Sequence, residues 1–145
     1  AVALSCNVEK TVAEGAGAAG LAALLSFPDR YRGRRVGLVL SGGNIDSRLL
    51  ASIIMRGLVR DGRLVRLRVE ISDQPGALSR VAGLIGDHGG NIVEVYHQRM
   101  FGTVAAKFAD LDLVVETRDQ EHVGEIRDAI AAAGYPVRLL DGHKD

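Results

Sequence analysis

The stretch VEISDQPGALSRVAGLIGDHGGNIVEV, residues 69–95, contains the change of hydrophobic period that decides the fold. Up to Ile71 apolar and polar residues alternate, which is typical of a half-buried strand. After Pro75 the apolar residues recur at helical spacing, until Gly89 and Gly90 end the pattern. The sequence therefore predicts a strand that leads directly into a helix.

Both elements have a predicted apolar face. The residues expected in the core are Val65, Leu67, Val69 and Ile71 in the strand, and Leu78, Val81, Ala82 and Ile85 in the helix. Arg66, Arg68 and Glu70 then lie on the other face of the strand. We expect Asp73 to cap the helix and Pro75 to lie in its first turn.

The rest of the chain completes a recognisable order of elements. NIVEVYHQ (91–98) and LDLVVET (111–117) are predicted as strands of a hairpin, joined by a long loop around Gly102. A helix is expected from about Thr117 to Gly134, and YPVRLL (135–140) as a last short strand. The apolar stripe of this second helix comprises Val123, Ile126, Ile130 and Ala133.

The order strand, helix, strand, strand, helix, strand indicates an α+β fold. Two helices can cover one face of a four-stranded antiparallel sheet, the split βαβ or ferredoxin-like arrangement. The other face stays open, and we expect Ile92 and Val114 to lie on it. That open face favours association into at least a dimer. The fold alone does not indicate a function.

Composition limits the function classes. The 145 residues include 18 basic and 18 acidic side chains, so no cationic excess favours nucleic acid. No apolar run reaches the roughly 20 residues of a membrane span, and no signal peptide is evident, so we expect a cytoplasmic protein without membrane partners. Cys6 has no partner for a disulfide, and the four histidines lack metal-ligand spacing, so no metal is expected.

The turn after the first strand carries a family resemblance. Asp73, Pro75, Gly76 and Leu78 form a D-x-P-G-x-L pattern, and Gly90 with Asn91 precedes the second strand. In this pattern residues 69–95 closely resemble the opening of an ACT domain, the amino-acid-sensing module of metabolic enzymes. Without that resemblance, the same residues also suit an ordinary strand-to-helix connection with a good cap.

The resemblance implies an effector site at this turn. Gly76 lets a ligand approach the backbone, and the N–H groups at the start of the helix suit a carboxylate. We expect a free amino acid, isoleucine or valine, to bind there, at a boundary where a neighbouring subunit supplies the last two residues of the set. The expected effector-binding residues are Asp73, Gln74, Pro75, Gly76, Ala77, Leu78, Asn91 and Ile92.

Residues 1–62 raise a different question. Gly15, Gly17 and Gly20 spell G-x-G-x-x-G, but no strand precedes them, and RRVGLVLS (34–41) ends in serine without the acidic residue of a dinucleotide site. An alanine-rich helix, whose small residues permit close packing, is the preferred interpretation. RRVGLVLS itself is predicted as a strand, followed by the SGGN loop and a further helix.

A second resemblance covers nearly the whole chain. EGAGAAGLAALL, then VGLVLSGGNID, a helix and an ACT domain follow the order found at the C-terminal end of threonine dehydratases, the pyridoxal-phosphate enzymes also called threonine ammonia-lyases. This resemblance implies that Ser41, Gly42 and Glu14 belong to the cofactor site. Ser41 would place its hydroxyl against the pyridine nitrogen. Taken alone, a serine before two glycines also suits a simple turn.

Ser41 as the ring partner would suit an elimination. A hydroxyl is too weak an acid to protonate a pyridine, so the ring stays neutral and is a weaker electron sink than one paired with a carboxylate. Elimination of a β-hydroxyl needs less electron delocalisation than transamination does. A neutral partner therefore favours dehydration.

Other parts of such an enzyme are missing from the sequence. The family holds its cofactor through a lysine in a Ser-x-Lys context and through a run of glycines, whereas Lys10, Lys107 and Lys144 lie in no such context. We therefore expect a C-terminal fragment with no catalytic residues, no cofactor bound to it and no activity of its own. The chain begins with Ala1, which is consistent with a fragment.

The predicted organisation is a C-terminal piece of the cofactor domain over 1–62, an ACT domain over 63–141 and a tail over 142–145. The ACT domain is expected to mediate homo-oligomer formation. Two alternatives stay open: a stand-alone ACT sensor or dimerisation module, and a fragment of a serine dehydratase or serine racemase. The motifs EGAGAAG and SGGNID favour the lyase, because a free-standing sensor does not need them.

Overall fold

The computed structural model describes residues 1–98 and 108–140, which divide into two compact units, residues 1–57 and residues from Leu58 onward. The first unit contains α1 (Val2–Val8), α2 (Ala19–Ser26), α3 (Pro28–Tyr31) and most of α4 (Ser47–Arg60). The second contains β1 (Leu64–Ser72), α5 (Ala77–Asp87), β2 (Asn91–Gln98), β3 (Phe108–Glu116), α6 (Gln120–Ala132) and β4 (Val137–Leu139). The predicted loop around Gly102 and the predicted tail lie outside the described residues.

The second unit has the predicted ferredoxin-like fold. Its four strands form one sheet in the order β2-β3-β1-β4, and all three pairings are antiparallel. The helices cover one face, where apolar side chains from β1, β3, α5 and α6 form a continuous core. The predicted alternation of β1 is confirmed, because Val65, Leu67, Val69 and Ile71 are all buried against the helices.

The start of α5 differs from the sequence prediction. The chain turns at Gly76, whose φ of 85° is left-handed, and this glycine is the N-cap of a helix that begins at Ala77. The predictions of Asp73 as the cap and Pro75 in the first turn of the helix are therefore wrong, because both residues precede the N-cap Gly76. Leu78, expected in the core, is 38% exposed. Ala77 takes its place, because the helix starts later and its buried stripe is rotated accordingly.

The second helix and the edge strand also differ in detail. Asp119 caps α6 by accepting a hydrogen bond from the backbone N–H of His122, and Ala133, predicted in the core, is exposed at the C-cap. In β2 the register shifts between Ile92 and Glu94. Ile92 thereby pairs with Val115 and packs against the core, so its expected place on the open face is wrong. Val114 pairs with Arg66 and does lie on that face.

The turn between α5 and β2 is packed tightly against α6. A side chain on Gly90 would come within 2.8 Å of Ile85 and 2.9 Å of Ile126, so only glycine fits. The Nδ1 atom of the buried His122 accepts the backbone N–H of Arg118 at 3.1 Å. Its Nε2 therefore carries the proton and donates to the carbonyl of His88, 2.6 Å away. These contacts fix where β2 begins.

The first unit differs most from prediction. The predicted strand RRVGLVLS (34–41) forms no strand, and Val36, Leu38, Val39 and Leu40 are exposed. A strand is stable beside a hydrogen-bonded partner, and no other extended segment of residues 1–57 pairs with this one. The alanine-rich helix predicted around Gly17 begins only at Ala19. The helix predicted after the SGGN loop is present as α4.

Candidate functional site

The predicted effector turn is an exposed, glycine-shaped corner. Gln74, Pro75 and Gly76 are exposed, and only one atom lies within 4 Å of the position that a Cβ on Gly76 would take. The N-cap glycine has no side chain that could accept hydrogen bonds from the first turn of α5. The corner therefore presents open space beside backbone N–H groups, where a carboxylate is favoured by the helix dipole.

The structure adds a cation that sequence analysis did not identify. The one atom near Gly76 is Nη1 of Arg80, 3.9 Å from the Cβ position. The guanidinium is held from its other side, because its Nε donates a 3.0 Å hydrogen bond to the hydroxyl of Tyr135. Sequence spacing could have suggested Arg80, since residues i and i+4 neighbour each other on a helix, but the contact to Tyr135 spans 55 residues.

The second half of the predicted effector set lies at the opposite end of the sheet. Asn91 pairs with Glu116, which pairs with Leu64 at the start of β1, whereas the turn follows Ser72 at its end. At about 3.3 Å per residue, these ends are about 26 Å apart. One chain therefore does not bring Asn91 and Ile92 to the turn. The side-chain amide of Asn91 instead donates to Glu116 at 2.8 Å.

The predicted cofactor residues do come together in the first unit. The backbone N–H of Glu14 donates to the carbonyl of Gly42 at 2.9 Å. A Cβ on Gly17 would overlap the carbonyl oxygen of Ser41, and one on Gly42 would lie 2.6 Å from the Glu14 carboxylate. Glycines 17 and 42 therefore permit two distant segments to touch, and Ser41 stays exposed beside them.

These residues fit one contact to a pyridoxal-phosphate ring. The hydroxyl of Ser41 can donate to a ring nitrogen. The described residues contain a single lysine, Lys10, which is exposed at the start of the connection between α1 and α2. They thus offer a partner for one edge of the ring, without the covalent attachment.

Within residues 1–98 and 108–140, no cluster of histidine, cysteine, aspartate or glutamate side chains could hold a metal ion. None of the helices in those ranges is both long enough and apolar enough to cross a membrane. Two shallow cavities of about 370 and 380 Å³ lie near Tyr135, and Arg80 lines the first of them.

Comparisons with known proteins agree with these features. The family model described as ACT domain matches residues 65–134. The L-threonine ammonia-lyase of Thermotoga maritima is 44% identical over 131 residues, which are 90% of this chain and 32% of that protein. The L-threonine ammonia-lyase of Geobacter sulfurreducens is 37% identical over 142 residues, 97% of this chain and 35% of that protein.

Among solved structures, the ACT domain from the GTP pyrophosphokinase of Chlorobium tepidum superimposes with a TM-score of 0.42 at 16% identity, over 53% of this chain and 96% of that one. The chain spans about a third of the length of the curated relatives that it matches. Both resemblances drawn from the sequence motifs are confirmed: residues 65–134 are an ACT domain, in a chain similar along nearly its whole length to L-threonine ammonia-lyases.

Proposed function

We propose that this chain is the C-terminal part of a threonine ammonia-lyase, in which the ACT domain binds an aliphatic amino acid and regulates the enzyme. The observation that carries the proposal is the extent of similarity: the matches to the two ammonia-lyases include most of residues 1–57 as well as the ACT domain. A stand-alone sensor would share only the ACT domain. The parent reaction would convert L-threonine to 2-oxobutanoate.

Residues 1–57 would supply one side of the cofactor site. Pyridoxal phosphate, when bound, supplies the electron sink for the elimination. Ser41 would donate a hydrogen bond to the ring nitrogen and leave it uncharged, while Gly42 and Glu14 hold the serine loop in place. Because this contact is neutral, it favours loss of a β-hydroxyl over transamination. The chain by itself would be inactive, since the family's cofactor-binding lysine is missing.

The effector would bind at the corner formed by residues 73–78. Its carboxylate would face the N–H groups of the first turn of α5 and the guanidinium of Arg80, which lies next to Gly76. The exposed side chain of Leu78 would offer part of an apolar contact. Isoleucine and valine are preferred as ligands because the family resemblance points to the branched-chain products downstream of threonine dehydration.

A second copy of the domain would complete the site. β2 is an edge strand, and it exposes Val93 and Val95. A twofold axis perpendicular to the sheet would pair the β2 edges of two copies antiparallel, which reverses the direction of the neighbour. The neighbour's Asn91 and Ile92 would then lie at the same end of the joined sheet as the turn. This arrangement explains why the two halves of the set are about 26 Å apart in one chain.

Calorimetric titration of the chain with isoleucine, valine, threonine and serine would test the effector site. Gly76→Ala should reduce affinity at least about tenfold, because its methyl group enters the space at the corner. Gly134→Ala is the matched control, because Gly134 also has a positive φ, 88°, and open space around it. The two variants should lose similar stability, and only the first should lose binding. No heat with any amino acid, or equal affinity for both folded variants, would contradict the site.

A further inference from the structure

The uncovered face of the sheet has an ordered distribution of charge. Residues that pair directly across antiparallel strands lie on the same face, so the registers assign this face without ambiguity. The pair β2 and β3, on one side of the sheet, contributes only acidic charges: Glu94, Asp110, Asp112 and Glu116. The pair β1 and β4 contributes Arg66, Arg68 and Arg138 together with a single acid, Glu70. We call these the acidic half and the basic half.

The boundary between the halves is an ion-pair network whose central carboxylate is already withdrawn from water. Asp112 is fully buried although it lies on the sheet face opposite α5 and α6. Its carboxylate accepts hydrogen bonds from Arg68 Nε at 2.5 Å and Nη2 at 2.7 Å, and from Arg66 Nη2 at 3.0 Å. Arg68 Nη1 also lies 3.7 Å from Asp110. Much of the desolvation cost of covering this centre is therefore already met in one copy.

One row of residues crosses the whole face. Tyr96 pairs with Asp112, Asp112 with Arg68, and Arg68 with Arg138, so one residue from each strand lies in line. The two ends of the row differ from its centre. Arg138 is exposed and makes no ion pair with any residue in the described ranges, and Tyr96 is 49% exposed. Glu94, on the same face of β2, accepts a hydrogen bond from the Tyr96 hydroxyl at 2.9 Å.

We propose that this open face binds the same face of a second copy, with a twofold axis that runs along the strands between β1 and β3. That rotation reverses the strand order from one copy to the other, so that β1 and β4 of each copy lie over β3 and β2 of its partner. The basic half of each copy therefore covers the acidic half of the other. Arg138 then lies over the partner's Tyr96, where a guanidinium and an aromatic ring attract each other, and one pleat from the partner's Glu94. A twofold axis across the strands would instead place like charges together.

Charge complementarity favours a second copy over a different partner. Apart from Glu70, which this axis places opposite the partner's Asp110, each half of the face carries the charge that the other half lacks, and a twofold axis along their boundary supplies the match without any further protein. The size of the face limits the strength of the contact. Three strands of eight or nine residues and one of three residues, about 4.8 Å apart and about 3.3 Å per residue, offer roughly 460 Å² per copy, or about 900 Å² in total. That is the lower end of specific interfaces, so the contact should be weak by itself and sensitive to salt.

Sedimentation of the 145-residue chain and of two charge reversals would test the proposal. Arg138→Glu places a glutamate opposite the partner's Glu94, and Glu94→Arg places an arginine opposite the partner's Arg138. Each substitution alone should therefore weaken the salt-sensitive association at least about tenfold. Mixing the two variants should restore it, because each mixed pair then contains only opposite charges. The double variant Arg138→Glu/Glu94→Arg should also associate. Arg127→Glu, on α6, is the control and should behave like the unmodified chain.

The outcomes separate this contact from the β2 edge pairing. If both reversals leave the association unchanged, the open face is not an interface. If both weaken it and neither the mixture nor the double variant restores it, Arg138 and Glu94 do not face each other across the contact, and the proposed axis is wrong. Circular dichroism of each variant establishes folding, and restoration in the double variant does not depend on either single variant being well folded. Effector titration should be unaffected, so loss of the effector site would leave this proposal standing.

Discussion

The two units of this chain bury their apolar residues to very different extents. From Leu58 onward, 14 buried apolar side chains form one continuous core. Within residues 1–57 the only buried apolar residues are Ala13 and Ala18. Large apolar side chains there are exposed instead: Leu4, Val8, Val12, Leu25, Phe27, Val36, Leu38, Val39, Leu40, Leu49 and Met55. The ACT domain closes its own core, whereas the first unit leaves large apolar side chains exposed, the kind of surface that marks a protein contact.

The largest expected difference between the units is in the cost of truncating one leucine in each. Leu113→Ala should cost about 2–5 kcal/mol of unfolding free energy, because Leu113 is fully buried in the sheet-helix core. Leu38→Ala, at a site 40% exposed, should change the free energy by less than about 1 kcal/mol. Urea unfolding monitored by circular dichroism measures both.

Hydrogen exchange would assign each effect to its unit. Amide protons of β1 and β3 should be protected in the unmodified chain and lose protection in Leu113→Ala, whereas residues 34–46 should exchange rapidly in all three proteins. Equal costs for the two substitutions would mean that the first unit has a core of its own, and the comparison would fail.

The same contrast explains what could be predicted from sequence. The elements of the ACT domain were predictable because each period is local and each buried face is closed by neighbours within the same 80 or so residues. RRVGLVLS has equally strong strand propensity, yet strand formation depends on a partner, and no local pattern shows whether one is present. The helix positions that failed, Leu78 and Ala133, lie at helix ends, where one turn decides the buried stripe.

The site was predictable only in part for the same reason. The turn at Gly76 has a local signature, and the structure places glycine there with a positive φ. Ile92 was assigned to the wrong face because the bulge at Val93 breaks the alternation, and a bulge leaves no mark in a run such as NIVEV. Arg80 and Asp112 depend on partners 55 and 44 residues away. A sequence shows such residues as ordinary surface charges.

A smaller effect is expected from ion pairs, which also differ between the units. Asp112 is fully buried, whereas the Asp29–Arg32 pair of the first unit is exposed to 87% and 81%. Asp112→Asn should cost about 1–3 kcal/mol at neutral pH, because charge-assisted hydrogen bonds from two arginines are lost. Asp29→Asn should have no measurable effect, since exposed pairs contribute little.

The pH dependence of Asp112→Asn has a defined sign. Hydrogen bonds from Arg68 are the main cause that lowers the pKa of the Asp112 carboxyl below its ordinary value of 3.8. As the pH falls, the unfolded chain therefore takes up this proton first. The stabilisation is complete above about pH 4 and is lost as the pH falls through the folded pKa. Urea unfolding at neutral and acid pH should show the difference between Asp112→Asn and the unmodified chain shrink; a constant difference would contradict it.

The smallest expected effect is a gain in stability, which is tested by replacing one helical glycine in each unit with alanine. Gly83 lies inside α5 with nothing within 4 Å of its Cβ position, and Gly57 lies inside α4, where a Cβ would make an ordinary 3.5 Å contact with Ala3. Alanine favours the helix over glycine by about 0.5–1 kcal/mol at such positions. Gly83→Ala should therefore raise the unfolding free energy of the ACT domain by that amount. Gly57→Ala should slow hydrogen exchange within α4 only, because the first unit has no core through which the gain could be shared. If Gly57→Ala stabilised β1 and β3 as much as Gly83→Ala does, the two units would unfold together, and the apolar surface of residues 1–57 would have to be covered within this chain.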